Sequence, residues 1–250
     1  MAKVKTETAA PAKISLAAAL TRRPTFSEFS VWLVGDTPLI THAWSEKARR
    51  EMLEKQVKAP KAGRAEREPE EDFKSSLYEM GDGSYGFPAM GIKNCILSAA
   101  HKDKGIPRTE VMAALWMNAD MVRTRPALAG AICDMPLVRI WGSKPAMRED
   151  MVKVGKGLNK TASLAYRAQF TTWGIHVSGR FNSSVLNAEQ IAFLIVEAGP
   201  AFGLGEWRNE KKGMFGSFHL ATPEEEQVWD AFAAGNGPLP APYGYQMAAE

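Results

Sequence analysis

Three observations in this 250-residue sequence predict an α+β domain with helices laid on one face of an antiparallel sheet. Residues 28–34 alternate with the two-residue period of a half-buried strand. Residues 89–102 and 188–198 carry apolar side chains at helical spacing. The segments run strand, helix, strands, hairpin, helix, strand, an order that suits an antiparallel sheet better than repeated strand–helix units.

Each element has its own signal. In the first strand Phe29, Val31 and Leu33 fall on one face and Trp32 on the other. Gly35-Asp36-Thr37-Pro38 breaks it, and residues 39–44 resume an extended path. Ser45 is placed to cap a helix over residues 46–55. The tract 46–74 then mixes nine basic with eight acidic residues, and within it residues 55–74 read as a solvated insertion. A turn-rich patch at 81–88 leads into the helix at 89–102, which should bury Ile92, Cys95, Ile96 and Ala99. Residues 111–117 and 137–141 are strand candidates. Residues 164–181 read as a hairpin turning at 171–174. Asn187 caps the helix 188–198, whose Ile191, Leu194, Ile195 and Ala198 form a core-facing stripe. A glycine-rich loop, 199–216, precedes a last strand at 217–220. The chain therefore divides into an N-terminal arm (1–24), a core (25–220) and an acidic C-terminal helix and tail (221–250).

Composition narrows the function. With 45% hydrophobic and 24% charged residues the chain is that of a globular domain. It has no apolar run near the roughly 20 residues that span a bilayer, so no membrane partner is expected. Cys95 and Cys133 stand 38 positions apart with no Cys or His at metal spacing, which argues for a reducing cytoplasm and no structural metal. No phosphate loop, nucleophile elbow or dinucleotide fingerprint is present, so no cofactor is expected.

Charge is unevenly distributed. Residues 139–180 hold eight basic and two acidic residues, whereas the segment from Ala221 has five acidic residues and no lysine or arginine. Such a basic tract suits a polyanion. Arg139, Arg148, Lys153, Lys156 and Lys160 are its candidate contacts, the three lysines forming a cationic finger around Gly155 and Gly157. The loop 199–216 adds Trp207, Arg208, Lys211 and Lys212, a stacking face and cations on a segment that glycines keep thin. Lys93, near a helix start, is a further candidate. For stacking on the sheet the candidates are Trp32, Trp141 and Trp173.

Gly203, Gly205, Arg208, Gly213, Phe215 and Gly216 resemble the C-terminal glycine-rich signature of the CRISPR RAMP superfamily. Two further segments resemble that superfamily, in its order. Val34-Gly35-Asp36-Thr37-Pro38-Leu39-Ile40 is similar to the end of its first strand. Tyr85-Gly86-Phe87-Pro88, running on to Lys93, is similar to the proline-led start of its first helix, where members place a lysine or arginine at the Lys93 position. The resemblance implies a ferredoxin-like, RNA-recognition-type sheet. It also implies a backbone-type subunit that binds a strand of nucleic acid and polymerises along it. The sequence also resembles, in style, proteins of tailed phages and prophages.

The leading expectation is thus a non-enzymatic protein that binds single-stranded nucleic acid, RNA or DNA, and assembles as a homo-oligomer along it. One alternative is an RNA-cleaving relative using His42 or Asp36 as general acid or base. The other is a phage structural or protein-interaction protein.

Overall fold

The computed structural model describes residues 24–57, 68–100, 105–124, 126, 128–155 and 161–242. Its strands are β1 (Phe26–Gly35), β2 (Leu39–Thr41), β3 (Gly86–Pro88), β4 (Leu115–Met117), β5 (Asp120–Arg123), β6 (Asp134–Gly142), β7 (Ala146–Val154), β8 (Thr161–Phe170), β9 (Trp173–Asn182) and β10 (Phe218–Leu220). Its α-helices are α1 (Glu46–Gln56), α2 (Pro69–Ser75), α3 (Ala89–Ala99), α4 (Arg108–Ala114), α5 (Ala188–Ala201) and α6 (Pro223–Ala233). The protein is a mixed α/β fold built on two antiparallel sheets.

Alternation along β1 organises the molecule. Leu33 is fully buried in the main core, with Phe29 and Val31 packed against that core, while Trp32 and Val34 join a second, smaller cluster with Trp229 on the other side of the sheet. The large sheet runs β10-β1-β9-β6-β3, with β4 added to β9 and β5 to β6. Helices α3 and α5 pack on each other, and Ile92, Ile96, Leu194 and Ile195 meet Ile175 and Val177 of the sheet in the main core. Asn187 caps α5 in a reciprocal capping box with Gln190. The one-sided arrangement expected of the helices describes α3 and α5. It does not describe α6, which lies on the outer face, where Trp229 stacks on Trp32 at 5.5 Å. Gly174 makes that seat possible, because a Cβ there would stand 2.9 Å from the Trp229 ring.

Three sequence expectations need correction. Residues 164–181 do contain two strands, but these do not form a hairpin: β8 pairs with β2 and β7, β9 with β1, β4 and β6, so the chain changes sheets at residues 171–172. The hairpin is instead β7–β8, nine paired positions long; of the expected cationic finger, Lys153 lies on β7 and residues 156–160 lie outside the described residues. Three consecutive charged residues, Arg148, Glu149 and Asp150, interrupt the alternation of β7 and hide its strand period. Residues 111–114 are helical, because Pro107 starts α4 and only residues 115–117 extend as β4. Within the expected insertion, Pro69–Ser75 is a helix whose Phe73 packs on the main core, and the buried Ser76 hydroxyl after it accepts from the Ala168 N–H at 2.8 Å.

Candidate nucleic-acid interface

The three sequence segments that carry the family resemblance meet at one place. Helix α5 runs on through residues 199–201, which were expected to open the loop, and the rest of the segment 199–216 is sewn onto the first turn and second strand by backbone hydrogen bonds. Gly216 N–H donates to the Pro38 carbonyl at 2.9 Å, Glu206 N–H to the Ile40 carbonyl at 2.9 Å, and Leu204 N–H back to Gly216 at 2.8 Å. Gly205 has φ +77°, and a Cβ there would press into the Ile40 carbonyl, so the loop cannot lie this close with a larger residue. From the other side α3 presents Cys95, whose thiol donates to the Gly203 carbonyl at 3.3 Å. Burial pushes that thiol up to about 12, so it is packing rather than a nucleophile.

Between α3 and the loop lies a cleft of about 360 Å³, with Asn94, Ser98 and Arg108 on one wall and Arg208 and Glu210 on the other. Among the described residues no ion pair engages Arg108, which begins α4 and is exposed. Sequence reasoning passed over it. Its signal was the Ile-Pro-Arg step that starts a helix opposite the loop. Arg208 is held in place: Nη1 donates to the Gly205 carbonyl at 2.9 Å, and Nε and Nη2 donate to Glu210 Oε2 at 2.9 and 2.6 Å. Its guanidinium therefore sits at the cleft in a fixed orientation.

The outer ridge of the loop carries Trp207, Lys211, Lys212 and Met214, all exposed. Trp207 and Lys212 adopt left-handed backbone, φ +54° and +64°, unusual for residues with side chains. Arg148 joins this neighbourhood through Phe215. Its guanidinium lies 4.6 Å from that ring, bonds Asp150 at 3.0 Å and reaches Gln169 at 2.9 Å, and so pins the base of the β7–β8 hairpin to the loop. Lys153 is exposed farther out on β7. Lys156 and Lys160 lie outside the described residues.

Two candidates stand elsewhere. Lys93 points its ammonium at the end of α4, donating to the carbonyls of Leu115 at 2.6 Å and Met112 at 3.2 Å, and burial lowers its pKa. Arg139 pairs with Asp82 at 3.0 Å and lies 4.1 Å from the Trp141 ring, next to α6 on the outer face of the sheet. Of the indoles expected to face solvent, Trp173 is fully buried and donates to the Thr37 carbonyl at 2.8 Å, Trp32 is buried under α6, and Trp141 is half-buried.

At the far end of the loop His42 Nδ1 faces Glu206 Oε1 at 3.2 Å, and the Tyr78 hydroxyl donates to the His42 carbonyl. The His42 hydrogen bond outweighs burial and, with Arg167 and Arg208 nearby, holds the Glu206 carboxyl below its usual range. Among the described residues no cluster of His, Cys, Asp and Glu could hold a metal, and no helix is long and apolar enough to cross a membrane.

No protein-family model and no curated protein matches this sequence. Among solved structures the chain is similar to one chain of a cryo-EM structure of the Type III-B Cmr-beta bound to cognate target RNA. The two share 14% identity and a TM-score of 0.40, over 83% of this chain and 62% of that one, so this chain spans about three fifths of its neighbour's length.

Proposed function

We propose that this protein binds single-stranded nucleic acid without cleaving it, along the cleft between α3 and the loop 199–216, and that copies assemble side by side on the strand. The observation that carries the reading is the cleft between α3 and the glycine-rich loop, flanked by Arg108 and Arg208, on a loop that the first turn braces and that exposes Trp207, Lys211 and Lys212. Guanidinium groups suit phosphate, and an exposed indole beside lysines suits a stacked base. A ferredoxin-like sheet is part of the proposal. The order β10-β1-β9-β6 supports it, with α3 between β1 and β6 and α5 between β9 and β10 in sequence. A reducing cytoplasmic setting agrees with two free cysteines.

Filter binding of single-stranded RNA and DNA at several salt concentrations tests the reading. Replacing Lys211 and Lys212 together by alanine should flatten the slope of log affinity against log salt by about 1.4, since each phosphate contact to a single strand contributes about 0.7. Sedimentation on oligonucleotides of increasing length tests assembly, with stepwise growth expected. The pairing of His42 with Glu206 favours a second reading, RNA cleavage with His42 as proton carrier. Cleavage products that vanish in His42→Ala would establish it.

A further inference from the structure

Among the described residues the outer face of the large sheet is only half covered. Helix α6 seats on the Val34 end of β1, over Trp32 and Gly174. The Phe26 end is open, and there side chains from three strands converge. Phe26 of β1 and Trp116 of β4 meet edge to face at 5.3 Å and 77°, and Arg180 of β9 lies 5.2 Å and 5.9 Å from the two rings. Both rings are large apolar groups left exposed, at 43% and 38%.

Register fixes what surrounds them. Glu28, Arg180 and Trp116 stand in one row across β1, β9 and β4. Ser30 and Ser178 stand in the next row, where the Asn118 amide donates to the Ser178 hydroxyl at 3.2 Å. His176, facing the Ser30 hydroxyl at 2.9 Å, comes last before the covered part. The open face thus offers stacking rings at one end and a row of hydrogen-bonding groups beside them, over about 20 Å of strand at roughly 3.4 Å per residue. Among the described residues the Arg180 guanidinium makes no ion pair or hydrogen bond. Glu28, directly across, forms no ion pair with it.

We infer that this open face is a second contact for single-stranded nucleic acid, in which unpaired bases stack on Phe26 and Trp116 and Arg180 takes an adjoining phosphate. The inference rests on the nucleic-acid reading above but uses a separate surface. Its chemistry is that of single-strand recognition, with bases on aromatic and guanidinium planes, their edges read by small polar side chains, and a cation that forms no ion pair among the described residues. A guanidinium that rests on the rings and forms no ion pair among the described residues favours a polyanion over an apolar peptide.

Anisotropy of labelled single-stranded RNA and DNA, with thermal midpoints for every variant, tests it. Phe26→Ala and Trp116→Ala should each weaken binding on the order of tenfold, and Trp116→Phe, which keeps a ring, should retain most of the affinity. Arg180→Ala should flatten the salt slope by about 0.7. If folded Trp116→Ala and Arg180→Ala bind as tightly as the parent while Lys211→Ala/Lys212→Ala binds weakly, the second contact is refuted and the cleft reading stands. If the parent binds neither RNA nor DNA, both fall. Should Phe26→Ala not fold, Trp116→Phe against Trp116→Ala decides.

Discussion

Gly216 donates its N–H to the carbonyl of Pro38, 178 positions earlier in the chain. Through this bond the last loop is braced by the first turn, so a change in either should be felt at the cleft and in the stability of the sheet together. Gly205 is the sharpest test. An alanine there must hold φ near +77° with its Cβ against the Ile40 carbonyl. Gly205→Ala should cost at least about 1–3 kcal/mol, read as a lower denaturant midpoint. An unchanged midpoint would mean that the loop is not braced as described.

Arg208 should show a mixed effect. Because its guanidinium already bonds Gly205 and Glu210, Arg208→Ala removes loop order along with charge. A stability loss of about 1 kcal/mol is expected together with weaker oligonucleotide binding. Lys211→Ala, whose side chain is exposed, should weaken binding alone. Equal thermal midpoints for the two variants would show that the Arg208 bonds do not hold the loop.

Lys93 should separate structure from binding. Its ammonium caps the carbonyl end of α4, an interaction of the type a helix C-terminus favours. Lys93→Met should lower stability by about 1 kcal/mol with no change in salt slope. A flattened slope would return Lys93 to the phosphate contacts.

Acid should loosen the joint between β10 and α6. His219 stands between Asp36, at 2.6 Å from Nδ1, and Glu225, at 3.1 Å from Nε2. Burial works to raise the Glu225 carboxyl, but hydrogen bonds from Thr222 and His219 prevail and hold it below its usual range. A carboxylate whose pKa is lower folded than unfolded stabilises at neutral pH, and that contribution is lost as pH falls through the folded value. The urea midpoint should therefore drop as pH falls below about 5, the top of the ordinary carboxylate range, and Glu225→Gln should make that drop shallower. An identical pH profile in the variant would remove Glu225 from the joint.

What could be read from sequence was whatever a local period or cap determines. The opposite faces of Leu33 and Trp32, the Asn187 cap and the buried side of α3 all follow from neighbours within a few residues. What escaped depends on distant partners. Alternation in residues 164–181 shows strands without showing that Phe170 and Trp173 belong to different sheets, since pairing is chosen by β2 and β1 far upstream. Val111 looks like strand in isolation and is helical because Pro107 starts a turn and the core accepts its side chain. The site follows the same division. The glycines and Trp207 announced the loop, while the carbonyls that engage Lys93 and the wall that brings in Arg108 appear only when α4 is placed beside α3.

The seat of α6 gives the last prediction. Trp32 Nε1 donates to Asp230 Oδ1 at 2.8 Å, and Trp229 lies on both the Trp32 ring and Gly174. These contacts differ in kind and should differ in cost. Asp230→Asn keeps an acceptor for the indole and should be close to the parent, whereas Asp230→Ala strands that N–H and should cost about 1–2 kcal/mol. Trp229→Ala removes a fully packed ring and should cost about 3–5 kcal/mol. It should also uncover Trp32, so acrylamide quenching of tryptophan fluorescence should increase even though one indole has been removed. If Trp229→Ala melts with the parent and its fluorescence is no more accessible, α6 does not cover the sheet, and the open face extends from Phe26 to Val34 without interruption.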